Sequence, residues 1–138
     1  MSNRGQAVLD SMLLLCASVA VIAALAPAYG SAYDLSFDAR TMALSRIAAQ
    51  RIGAAASLCQ AMGEGAEFSG EVFVPQGANV SQRESEGVTE TFLFAARRAA
   101  GGPSEFPIAR DCRVYGGCGS QNCRFRAYFR GGCVIELQ

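Results

Sequence analysis

The sequence predicts an α+β fold: a long N-terminal helix, transmembrane in its first half and amphipathic in its second, packed on a small antiparallel β-sheet head. Three observations predict it. Residues 11–33 carry no charge. Residues 35–62 repeat apolar positions at helical spacing. From residue 66 onward the pattern turns into short runs of strand formers bounded by Gly and Pro.

The chain has 138 residues, one domain's worth. It is 51% hydrophobic and only 17% charged, against about a quarter charged in an ordinary domain. One segment must therefore be apolar. Arginine supplies all 12 basic side chains, and 12 Asp and Glu balance them. Such a balance disfavours a nucleic-acid partner, which needs a basic face. There is no His. A Ser-His-Asp or Cys-His catalytic site within the chain is thereby excluded, and the commonest metal ligand is missing. No catalytic constellation, cofactor motif or metal-ligand spacing remains, so the expectation is a protein that is not an enzyme.

The 23 uncharged residues from Ser11 to Tyr33 come after a short head that contains Arg4 and Asp10. As a helix such a run spans roughly 34 Å, enough for a ~30 Å hydrocarbon core. A cleaved signal peptide has its parts here, with an A-x-A-like site at Ala26–Ala28, but Asp10 stands where such peptides are basic. A lipoprotein signal at Cys16 has a bulky Leu15 before the Cys, which disfavours cleavage. The third reading is a retained anchor. Pro27 lies within the run, removes one backbone bond and predicts a kink.

The segment C-terminal to the apolar run favours the anchor. Phe37, Leu44, Ile47, Ala48, Ile52, Ala55, Leu58, Cys59 and Met62 form an i, i+3, i+4 stripe, with Asp38, Arg40, Arg46, Gln50 and Gln60 mostly off it and Arg51 on one edge. One helix of about 55 residues therefore runs from Asp10 and ends at Gly63 and Gly65. The head needs the apolar face of that helix. Its strands are read at Glu71–Pro75, Val88–Ala95 and Phe106–Val114, with a C-terminal hairpin at 124–137 turning on Gly131-Gly132. That makes four or five antiparallel strands.

Six Cys need an account. Cys16 lies in the apolar run. The tail spacing of Cys112, Cys118, Cys123 and Cys133 lacks the paired C-x2-4-C of a zinc site, so disulfides on an oxidising side are expected. Four tail Cys allow three pairings. Cys118–Cys123 with Cys112–Cys133 is preferred, because each closes a loop between hairpin-like elements. Cys59 is then either a buried free thiol or a staple from helix to sheet. Asn79-Val80-Ser81 is an N-glycosylation sequon, read here in a polar turn. Residues 64–105 hold seven acids and three Arg, and residues 110–138 five Arg and two acids. The blocks suggest solvated faces or a contact between subunits of a filament.

The head Arg4-Gly5-Gln6-Ala7-Val8-Leu9-Asp10, together with the apolar run, resembles the class III signal peptide of archaeal type IV pilin-like proteins. A bacterial TadE-like pseudopilin head is similar. The resemblance implies a cut between Gly5 and Gln6 by a prepilin peptidase, with Arg4, Gly5 and Gln6 as the processing residues. Asp10 then stands fifth in the mature chain, positioned to pair with the new α-ammonium of a neighbouring subunit. Pro27 falls where many type IV pilins carry a helix-melting proline. The implied organisation is a cleaved leader 1–5, a transmembrane assembly helix 6–33, its amphipathic continuation 34–63 and a disulfide-containing head 64–138. The implied function is a structural subunit, held in the cell membrane and then polymerised with identical or related pilin subunits into a cell-surface filament. The alternative is a membrane-tethered or secreted, disulfide-stapled binding module that does not polymerise.

Overall fold

A computed structural model describes residues 3–98, 101–118 and 121–138, with side chains from residue 8 onward. The chain divides into two compact units, Met1–Ser36 and Phe37–Gln138. Helix α1, Asn3–Met62, runs through Pro27 without a break in its helical assignment.

In the first unit every described side chain but that of Asp34 is exposed. The exposed set includes Leu13, Leu14, Leu15, Val21, Ile22 and Leu25. Val8–Met62 contains a stretch long and apolar enough to cross a membrane. Its Ser11, Ser18 and Ser31 turn back onto the helix backbone. Ser18 donates to the Leu14 carbonyl at 2.8 Å and Ser31 to the Ala28 carbonyl at 3.0 Å. Such bonds satisfy these serine hydroxyls without water, as a hydrocarbon environment requires.

The second unit holds the rest of α1 and seven strands: β1 Glu67–Phe73, β2 Ala78–Ser85, β3 Val88–Ala95, β4 Ser104–Arg110, β5 Cys112–Gly116, β6 Asn122–Phe129 and β7 Cys133–Leu137. They form a four-stranded sheet in the order β1-β6-β7-β5 and a three-stranded sheet in the order β2-β3-β4. The α+β class is as expected. The strand inventory is larger than expected, and it comes as two sheets. β5 pairs with β7 in parallel, whereas all other pairs are antiparallel.

Three strand boundaries differ from the sequence reading. β1 starts four residues before Glu71. The single strand read over 106–114 is two strands, split at Asp111, whose φ of 56° turns the chain from one sheet into the other. The Asp111 N–H donates to the Thr89 carbonyl at 2.7 Å and holds that turn against β3. β2 replaces the polar turn, so Asn79 sits in a strand. Glu86 and Gly87, both at positive φ, close the two-residue hairpin from β2 to β3.

The helix is capped where expected. Gly63, at φ 77°, donates its N–H to the Cys59 carbonyl at 2.9 Å. Its buried face shares Ala48, Ile52, Ala55 and Cys59 with the expected stripe and is rotated from it toward Ser45, Ala49 and Ala56. The sheets bury Ser45, Ala48, Ala49, Ile52, Ala55, Ala56 and Cys59. From the expected stripe, Ile47, Leu58 and Met62 are 49%, 50% and 67% exposed. Close approach explains the rotation. A Cβ on Gly53 would collide with the Ile108 carbonyl of β4. Cys59 donates its thiol hydrogen to the Ala127 carbonyl of β6 at 3.1 Å. Next to Gly53 and Cys59 the backbones leave room mostly for small side chains, Ile52 being the one large residue buried on this face, and Ile47, Leu58 and Met62 turn outward. Around these residues lie Val72, Val74, Leu93, Ile108, Phe125, Ile135 and Leu137, which complete the core.

Candidate functional site

Two places carry the residues singled out in the sequence: the N-terminal stretch of α1, and the head with its stretch of helix. Arg4, Gly5 and Gln6 have helical backbone, and their side chains lie outside the described residues. Asp10 is exposed and makes no ion pair among the described residues. Pro27 lies inside the helix and is exposed.

In the second unit the helix has two adjacent apolar surfaces. One, mostly small side chains around Ile52, meets the sheets. The other carries the exposed Ile47, Leu58 and Met62, with half-buried Leu44 beside them. At about 100° per residue these four fall within one arc of the helix, with exposed Arg51 among them. The residues that form this outward flank are legible as apolar in the sequence. Their direction is not.

The helix is also latched near its entry to the head. Asp38 is buried and accepts the Arg98 backbone N–H at 2.9 Å. The Arg98 guanidinium stacks over the Phe37 ring, 3.9 Å from its centroid. The chain leaving β3 is thereby tied to the start of the packed helix. Periodicity alone sets Asp38 on the polar side, away from such a latch.

The two charge blocks meet within one head. Arg124 bonds Glu71 directly across the β1–β6 pair at 2.8 Å. Arg126 grips Glu67 with two bonds of 2.7 Å, which hold the Glu67 carboxyl below the usual range. Arg110–Glu90 and Arg83–Glu105 pair at 3.2 and 3.4 Å. These intrachain pairs use charges that the block pattern offers to a neighbouring subunit. Tyr128 donates its hydroxyl to Glu136 at 3.0 Å, and this bond raises the phenol above its ordinary range. Glu64, Glu67, Arg126, Tyr128, Arg130 and Glu136 rim a charged concavity of about 520 Å³.

The cysteines pair as preferred. Cys112–Cys133 joins the first residues of β5 and β7, which are register partners. Cys118–Cys123 closes the short loop before β6. Cys59 is a fully buried free thiol, and burial pushes it above the ordinary thiol range. Cys16 is free and exposed on the apolar run.

No protein-family model, curated protein or solved structure matches the chain. An N-terminal apolar helix joined to a small disulfide-bonded β head is a pilin-like architecture on its own geometry.

Proposed function

We propose that this chain is the structural subunit of a type IV pilus-like surface filament. In this reading the protein is anchored by residues 6–33 with its head on the oxidising side. A prepilin peptidase cuts it before Gln6. Assembly then moves it from the membrane into a polymer of identical or related subunits.

The observation that carries the reading is the outward flank of α1. Lipid satisfies the exposed apolar side chains of residues 11–33. It does not reach side chains as far along the helix as Ile47, Leu58 and Met62, which lie 14, 25 and 29 residues beyond Tyr33. Large apolar groups in a row outside the bilayer mark an interaction surface. A helix that offers apolar surface both in and beyond the membrane suits a bundle of like helices. Asp10 gives such a bundle a register. A carboxylate within or beside a membrane segment costs energy unless it is paired. The α-ammonium created at Gln6 of a neighbour supplies a partner. The pair sets alignment more than it adds stability.

The test replaces Ile47 and Leu58 together by Asp, both being about half exposed. The expected outcome is a chain that inserts, loses its leader and forms both disulfides, yet gives no filaments by electron microscopy. A non-polymerising tethered module predicts no filaments from the parent chain under any condition.

A further inference from the structure

We propose that Asn79 is an N-glycosylation site and that the first sugar attached there lies on the ring of Phe94. The proposal rests on the head being exported, as in the function proposed above.

The register of β2 against β3 supplies the argument. Asn79 pairs with Phe94 and Ser81 with Phe92. Antiparallel partners share a face, with Cβ atoms roughly 5 Å apart. The alternate residues of β2, Ala78 and Val80, pack against the core and pair with Ala95 and Leu93. Asn79, Ser81, Phe92 and Phe94 therefore occupy the outward face of the three-stranded sheet.

That face is an aromatic platform. The Phe92 and Phe94 rings meet edge to face, centroids 6.4 Å apart. Neither belongs to the core, and both are half-buried. Arg83 lies over Phe92 at 5.7 Å from its centroid while reaching Glu105 at 3.4 Å. Phe92 has this cover. Phe94 has Asn79 directly across from it on the open side, and Glu105 on the other.

Two independent features thus coincide: an acceptor tripeptide with Ser at the third position and no Pro between, and a half-exposed ring opposite its Asn. A pyranose has an apolar face of C–H bonds. Held by Asn79, that face can cover Phe94 and take aromatic surface out of water. The acceptor is also reachable in the folded head. β2 is an edge strand, and Asn79 is exposed.

The chemistry is a group transfer from a lipid-phosphate-linked saccharide. The Asn79 Nδ2 attacks the anomeric carbon and a C–N bond forms. The anomeric C–O bond to phosphate breaks, and the lipid phosphate leaves with its electron pair. The amide proton passes to the transferase base.

The experiment uses the full chain in detergent, with both disulfides formed. It is incubated with an oligosaccharyltransferase of N-x-Ser/Thr specificity, a lipid-phosphate-linked saccharide and a control sequon peptide. The expected result is a mass gain of one saccharide, mapped to Asn79. Asn79→Gln and Ser81→Ala abolish it, and Ser81→Thr keeps it. Glycosylation should raise the denaturation midpoint of the parent chain, and Phe94→Ala should remove that rise while leaving transfer intact. Modification of the control peptide without modification of Asn79 overturns the site. Transfer with an equal rise in the Phe94→Ala chain overturns the platform. The reconstituted reaction presents Asn79 whichever side of a membrane the head occupies in the cell. Its failure therefore speaks against this site, and a failure of export is read separately from the mature N-terminus.

Discussion

At Gly53 the usual rule for a helical glycine reverses. Ala in place of Gly inside a helix normally stabilises by about 0.5–1 kcal/mol. Here the new Cβ would strike the Ile108 backbone carbonyl, which no side-chain motion can clear. Gly53→Ala is expected to destabilise the head by about 1–3 kcal/mol, the range for overpacking a tight interface. A denaturant titration that gave a gain would contradict the close approach of helix and sheet. Ser45 makes the opposite prediction. Its hydroxyl is fully buried and, among the described residues, has no hydrogen-bond partner. Removing an unsatisfied buried hydroxyl recovers a desolvation cost of about 1–3 kcal/mol, less the small void left behind. Ser45→Ala should therefore be neutral or stabilising by up to about 2 kcal/mol in the same titration. Neither residue is legible from sequence. Apolar periodicity weights large side chains, and it points the face toward Ile47 and Leu58. What decides the orientation is how near two backbones come, and that depends on partners distant in sequence.

The elements differ in how much of them the sequence carries. The apolar run is set by composition alone, and the end of α1 by a Gly at positive φ. β3 is legible to the residue, because its strand formers are continuous from Val88 to Ala95. β2 escapes the pattern, since ANVSQRES has one apolar side chain beyond Ala and looks like solvent-facing loop. Its signal is the Glu86-Gly87 turn, with a legible strand on one side. The parallel pairing of β5 with β7 is hidden, because it depends on Asp111 carrying the chain between sheets. The disulfide Cys112–Cys133 fixes that pairing. By loop-closure entropy a bridge of separation 21 contributes about 3 kcal/mol, and one of separation 5 about 2 kcal/mol. Replacing Cys112 and Cys133 together by Ala should lower the midpoint more than replacing Cys118 and Cys123. Equal losses would mean that the β5–β7 pair is held by other contacts.

For the whole molecule, an exposed apolar helix long enough to cross a membrane leads into a head that carries two disulfides. One face of the helix is covered by the sheets, and its apolar flank of Ile47, Leu58 and Met62 is exposed. The class of the fold and the membrane-competent segment are both legible, because they follow from charge and composition summed over many residues. The exposed flank is legible only in part, because the direction of a helix face is set by what packs behind it. The central claim is that the apolar helix is retained and begins at a processed Gln6. The most direct test is mass spectrometry of the mature N-terminus of protein purified from the cells that make it. The account predicts a chain that starts at Gln6 and keeps residues 11–33. A start at Tyr29 or beyond would mean that the helix is a discarded signal and that no filament can be built on it. An uncut Met1 on surface-exposed protein would equally contradict the processing that the assembly requires.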